Sequence, residues 1–208
     1  MHLAHARCPN DEKGAALVVV LSILIVVLLL GASAAQMALQ GEKAARGERD
    51  RHLAFQAAEA ALMDAEHDIE GRPGAPGRSA MFAPDSALGF VDGCGVGSVD
   101  LGLCLPAPQG MAPTWQAVDL ADAGGLHFVP YGRFTGATMQ TGHGLLPARA
   151  ARYIIELLRY LQPGQDAGTA NNYFYRITAL GFGARETTQV VLQSYYRKTG
   201  SPPAKGSP

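Results

Sequence analysis

Gly14-Ala15-Ala16-Leu17-Val18-Val19-Val20-Leu21-Ser22-Ile23-Leu24-Ile25-Val26-Val27-Leu28-Leu29-Leu30 is the stretch on which the fold turns. A polar, charged leader ends at one glycine, and an apolar run begins at the next residue. From Ala15 to Gly41, 27 residues, there is no charged side chain. Roughly 20 apolar residues in a helix cross a hydrocarbon core, so the run is long enough to span a bilayer. Three readings fit it. It is an uncleaved single-pass anchor, or a secretory signal cut near Ala35 after Gly31-Ala-Ser-Ala-Ala35, or a segment cleaved in front of the run whose helix stays with the mature chain. The residues beyond Gly41 decide among them.

The residues from Glu42 to Glu70 are charged but keep helical character, being rich in Ala, Glu, Arg, Leu and Gln and free of proline. Leu53, Ala57, Ala61, Leu62, Ala65 and Ile69 recur at three- and four-residue spacing as one apolar stripe. Glu59, Asp64, Glu66, His67 and Glu70 fall mostly on other faces and suit water, and Glu66 and Asp68 beside His67 read as a solvated face. Glu42 and Arg46 form a favourable i,i+4 pair. Gly71, Pro73, Gly74 and Pro76 stop the helix. The pattern therefore predicts one helix from about Ala15 to Glu70, with a lipid-compatible part over 15–41 and an amphipathic stem over 42–70.

Behind the stem lie 138 residues, Gly71 to Pro208, enough for one domain of ordinary size. The formal net charge is −1, and no basic patch appears, so nucleic acid is not an expected partner. Arg7 and Lys13 are offset by Asp11 and Glu12 in the leader, which leaves orientation weakly marked by charge. Cys8 sits in the leader. Cys94 and Cys104 are separated by nine residues, among them Gly95, Gly97 and Gly102, with Gly93 just before. A disulfide there, limiting the unfolded chain by about 2–4 kcal/mol, suits an oxidising periplasm. Free thiols remain an alternative, and two isolated cysteines are only half of a zinc site. No nucleotide-binding loop, Gly-x-Ser-x-Gly or paired-histidine motif is present. His127 and His143 lie among loop residues, so neither an enzyme nor a cofactor is expected.

The first half of this domain, 71–126, is rich in Gly and Pro and reads as loops, with Trp115 as a core anchor. Phe128–Phe134 reads as a short strand that Pro130 places at an edge or bend. Arg152–Leu158 mixes β-branched and aromatic residues, with a short helix as the alternative. Tyr173–Leu180 alternates, Arg176 and Thr178 on one face and Tyr175 and Ile177 on the other. Thr187–Tyr195 alternates more weakly, and Gly181, Gly183 and Ala184 suggest a hairpin between them. The head is bounded at 71–197, and 198–208, polar with Pro, Ser and Gly, reads as a disordered tail.

Gly14 before an apolar helix, an amphipathic stem and an antiparallel sheet together resemble a type IV pilin, an α+β fold with a long N-terminal helix packed on a C-terminal sheet. More narrowly, Arg51-His-Leu-Ala-Phe-Gln-Ala-Ala-Glu-Ala-Ala-Leu62 resembles the stem of PilX-type minor pilins. Tyr175-Arg-Ile-Thr-Ala-Leu-Gly-Phe-Gly183 with Val190-Val-Leu-Gln-Ser-Tyr195 resembles their C-terminal sheet, and Arg152-Tyr-Ile-Ile-Glu156 also fits. The resemblance is strong at both ends and weak over about 72–128. It implies removal of residues 1–14 by prepilin peptidase, N-methylation of Ala15, and a place beside other minor pilins and the major pilin in the complex that primes pilus assembly. The implied location is the inner membrane with a periplasmic head, then the fibre.

Most major pilins of that class carry a glutamate at the fifth residue after the cleaved glycine; this chain has Val19. The glutamate is thought to neutralise the amino terminus of a neighbouring subunit. A carboxylate in hydrocarbon needs such a partner, and a subunit at the fibre tip has no subunit beyond it. Val19 is thereby expected to mark a tip or near-tip position, against the simpler reading that it is merely lipid-compatible. Two further classes stay open. The loops over about 72–144 could hold an adhesin or contact a surface, and a tip pseudopilin of a type II secretion system would share the N-terminal features.

Overall fold

The computed structural model describes residues 15–75, 77–122, 124–160 and 173–198. The expected leader through Gly14, and the expected tail beyond Lys198, lie outside the described residues. The chain divides into two compact units between Glu48 and Arg49.

One helix, α1, runs over Ala15–Glu70, with the bounds that composition and the glycine-proline stop predict. Its first part, in the N-terminal unit, carries a window of mean hydropathy 3.2 and is long and apolar enough to cross a membrane. Side chains from Leu17 through Leu30 stand outward, as a lipid-facing segment requires. The two hydroxyls in the run are satisfied internally. Ser22 Oγ donates to Val18 O at 2.8 Å and Ser33 Oγ to Leu29 O at 2.9 Å, so neither donor would go unpaired in an apolar medium.

In the second unit, the stem part of α1 packs on a five-stranded sheet. Its strands are β1 (Leu103–Cys104), β2 (Val129–Pro130), β3 (Arg152–Arg159), β4 (Tyr173–Phe182) and β5 (Gln189–Tyr196). The order is β1-β3-β4-β5, with β2 also on β3. β3, β4 and β5 are antiparallel neighbours, while the short β1 runs parallel to β3, so the expected antiparallel sheet is mixed at one side. The short-helix alternative for 152–158 gives way to a strand. The region 71–126 is mostly irregular, with a 3-10 turn over Ser79–Met81 and a single helical turn, α2 (Thr114–Ala117).

The sheet is covered on both faces. Towards α1, Tyr153, Ile155, Leu157, Tyr173, Tyr175, Ile177 and Ala179 pack with Ala57, Ala61, Ala65 and Ile69. On the other face Ile154, Leu180 and Phe182 pack with Cys94, Cys104, Leu120 and Phe128. Trp115 is only half-buried, at the margin of that second cluster, because it stands on a four-residue helix at the surface rather than on a strand. The outward row of β4 carries Arg176, whose Nε and Nη2 each donate to the fully buried Glu156 carboxylate at 2.8 Å.

Two readings of the stem and sheet are corrected. Leu53 is half-buried, whereas Ala54 and Ala58 are fully buried. The contact stripe is built on alanine because the sheet approaches the helix backbone closely. Gly181 explains the approach. It lies inside β4 instead of in the hairpin, and a Cβ there would overlap the Ala54 carbonyl oxygen and the Ala58 amide. A glycine within a strand marks such a backbone approach. The turn comes later, after Phe182.

Candidate functional site

Two places carry the functional argument: the start of α1 and the seat of the head on the stem. At the first, Ala15 opens the helix and Val19 is 56% exposed, in a segment whose neighbours Leu17, Val18, Val20 and Leu21 are all outward apolar side chains. No acidic residue occupies the first turn. The surface offered there is aliphatic on every side, and Gly14 lies outside the described residues.

At the second, the expectation that Asp64 and Asp68 face water fails. Asp50, Asp64 and Asp68 are 7%, 3% and 1% exposed, and each grips a different loop of the head. The Asp50 carboxylate accepts from Ala184 N at 2.5 Å, Thr188 Oγ1 at 2.5 Å and Arg185 Nε at 2.9 Å, which clamps the β4–β5 turn. Asp64 accepts from Gly132 N at 2.7 Å and from the Thr135 hydroxyl. The third, Asp68, accepts from Nε and Nη2 of Arg78, at 3.1 Å and 2.8 Å to Oδ2, and from Tyr153 Oη at 3.2 Å. Charge on a helix suggests solvent by default. The available signal was the spacing: Asp50, Ala54, Ala57, Ala61, Asp64 and Asp68 share a helical face at three- and four-residue steps.

Arg78 extends the third grip. Its Nη1 donates to Val99 O at 2.8 Å and Leu101 O at 2.7 Å, and its guanidinium lies 3.8 Å from the Phe134 ring centroid. It therefore joins the stem to the loop that Cys94 and Cys104 close, and these two cysteines are disulfide-bonded. His127 Nδ1 lies 2.9 Å from Cys94 O, a structural contact, and His143 is exposed. Among the described residues no three of His, Cys, Asp and Glu converge as a metal-ligand set.

A cavity of about 260 Å³ lies beside the disulfide, lined by Gly93, Val118, Asp119, Asp122, His127 and Phe128. Its carboxylates have a local account. Arg149 donates to Ala121 O, and Arg152 donates to Leu120 O and Asp122 O while lying 4.3 Å from the Phe128 centroid. Burial and Arg149 push the Arg152 guanidinium down, and Asp122 and Asp119 push back. The acids balance the arginines that hold this loop.

Electrostatics at the grips make a stability prediction. Burial raises the Asp50 carboxyl, but the donors Thr188, Arg185 and Ala184 outweigh it and hold the group below its ordinary value of 3.8. A carboxylate depressed on folding stabilises the fold above its unfolded pKa and loses that contribution as pH falls through the folded value. Asp50→Asn keeps one acceptor oxygen and is expected to cost about 1–3 kcal/mol near neutral pH. The exposed Arg185 contributes little of this. Urea midpoints of the full chain in detergent check it: the gap between wild type and variant should narrow towards about pH 3. An equal gap at both pH values would contradict the assignment.

Two family models match this chain. One, described as PilX N-terminal, matches residues 13–62, and the other, described as type IV pilus assembly protein PilX, C-terminal, matches residues 100–198. Together they span well over half of the sequence. No curated protein and no solved structure gives a significant match.

Proposed function

The chain belongs to the PilX family of type IV pilus assembly proteins, and from that premise we propose that it primes fibre assembly as a minor pilin at or near the fibre tip. The observation that carries this reading is Val19, an aliphatic side chain near the start of a lipid-compatible helix. A subunit joining beneath others needs a carboxylate there to meet its neighbour's amino terminus. A subunit with nothing above it does not, and an unpaired carboxylate in hydrocarbon costs several kcal/mol.

On this reading prepilin peptidase cuts after Gly14 and Ala15 becomes the N-methylated first residue of the mature chain. The peptidase acts while the protein sits in the inner membrane as a single-pass species with its head in the periplasm, where the disulfide forms. Its partners are the other minor pilins and the major pilin, which the helix meets side by side, and an adhesin carried on the head is a secondary role. The irregular segment 71–126 supports that secondary role, since it presents loops on a rigidly held scaffold.

Val19→Glu tests the tip assignment. The variant should still be processed and inserted, but should lose its enrichment at fibre ends in immunogold images and lower the number of fibres per cell. Unchanged fibre counts with unchanged end labelling would refute the assignment.

A further inference from the structure

We infer that the outer edge of β5 is an interface, and that its occupant is an extended segment of a different protein, added antiparallel as a further strand. β5 is the last strand of the sheet, and no described strand pairs with its other side. Which backbone groups it offers follows from the hydrogen-bond phase. Gly183 N donates to Thr188 O at 2.8 Å, and the pair 183–188 continues the register Phe182↔Gln189 and Gly181↔Val190. Hydrogen-bonded pairs alternate along an antiparallel ladder. Val190, Leu192, Ser194 and Tyr196 therefore turn their N–H and C=O groups to β4, and Gln189, Val191, Gln193 and Tyr195 turn theirs away from it.

Those same four residues are the exposed ones, Val191 at 50% and Tyr195 at 63%. Eight consecutive residues, Gln189-Val-Val-Leu-Gln-Ser-Tyr-Tyr196, hold no charge, proline or glycine. Edges that stay free are blunted by charge, proline, bulges or shortness. This one has none of those devices in its span. The unmet donors and acceptors specify an extended backbone, and the uncharged span specifies an uncharged middle with apolar side chains beside Val191 and Tyr195.

Charge fixes the ends. Arg197 and Lys198 come directly after β5. Lys198 Nζ donates to Ser79 O at 2.8 Å, so it is the exposed Arg197, its guanidinium 5.0 Å from the Tyr160 ring centroid, that lies beside the first residues of an antiparallel segment and favours Asp or Glu there. A second copy of this chain fits poorly. Antiparallel pairing of β5 with itself uses a two-fold axis through the sheet, which reverses the stem. The Arg49 ends of the two stems would then point in opposite directions. The inference depends on the edge alone, not on tip placement.

A photo-activated benzophenone residue placed in turn at Val191, Gln193 and Tyr195 of the full-length chain, in cells making fibres, tests it. The expected result is three cross-links to one segment of one other protein, with attachment points stepping by about two residues in reverse order. Val191→Pro and Val191→Lys should each abolish the cross-link from position 195. Attachment to a second copy, to residues 161–172 or 199–208 of the same chain, to scattered sites or to nothing would overturn it. So would cross-links that survive both substitutions. The stepping pattern decides the matter whether or not the proline variant folds, and it is independent of where Val19→Glu places the subunit.

Discussion

Arg78→Ala should destabilise the head by about 3–5 kcal/mol, the cost of stranding one member of a buried ion pair. Arg78 is 5% exposed and Asp68 1%, so neither charge has water to fall back on. The guanidinium makes three contacts to the carboxylate, from Nε and Nη2, and two from Nη1 to the Val99 and Leu101 carbonyls. Truncation leaves both carbonyls without that donor and, among the described residues, Asp68 with the Tyr153 hydroxyl as its remaining donor. Burial already raises the Asp68 carboxyl above 3.8, against Arg78 and Tyr153, which lower it. Without Arg78 the balance moves further up. A carboxyl raised on folding favours the folded state at low pH and costs stability as pH rises through the folded value. The deficit of the variant should therefore shrink in mildly acidic buffer and be largest above neutrality. Asp68→Asn with Arg78→Met should recover much of the loss, because a neutral pair strands no charge. Chemical unfolding of the three proteins in detergent at two pH values measures it, and a loss under about 1 kcal/mol at neutral pH would mean the pair does not hold the loop to the stem.

Gly181→Val is the second large effect. The added Cβ would meet the backbone of Ala54 and Ala58, and backbone, unlike a long side chain, cannot swing aside. Either the stem lifts from β4 or the strand shifts against Val190, its partner in β5. Both outcomes open the alanine-lined contact, so the cost should reach or exceed the upper end of ordinary overpacking, about 3 kcal/mol. Gly47→Ala is the control. Nothing lies within 4 Å of its added Cβ, and in a helix interior the change should stabilise by up to about 1 kcal/mol. Limited proteolysis of full-length chains should show the first cut rapidly and the second no faster than wild type. Equal resistance of all three would show that the stem and sheet do not meet at Gly181.

How much of this was legible in the residues varies with the physics involved. The length of α1 was open to view, because an uncharged run, then helix formers, then a glycine-proline stop make a local signal. β3 and β4 were legible to within two residues, since aromatic and β-branched side chains cluster there. The hairpin was displaced because Gly181 looks like a turn residue until the helix above it is known. The burial of Asp50, Asp64 and Asp68 was hidden for the same reason. The helical spacing puts them on the alanine face, but their partners lie up to 138 residues away in sequence, so that spacing does not show which donors meet them. The stem's alanines tell the same story, because their smallness matters only once the sheet lies against them. Val19, by contrast, looks like any other aliphatic in its run and stands out only against the resemblance to pilins with a glutamate at that place, which is why its tip-marking role is a proposal.

The most direct test of the account is a count of surface fibres in a strain lacking this chain, with the gene restored in trans as control. The account predicts few or no fibres in the deletion strain and recovery on complementation, because a missing initiator removes the start of assembly. Normal fibre number and length, with only attachment to surfaces lost, would contradict it and leave the head as a binding module instead.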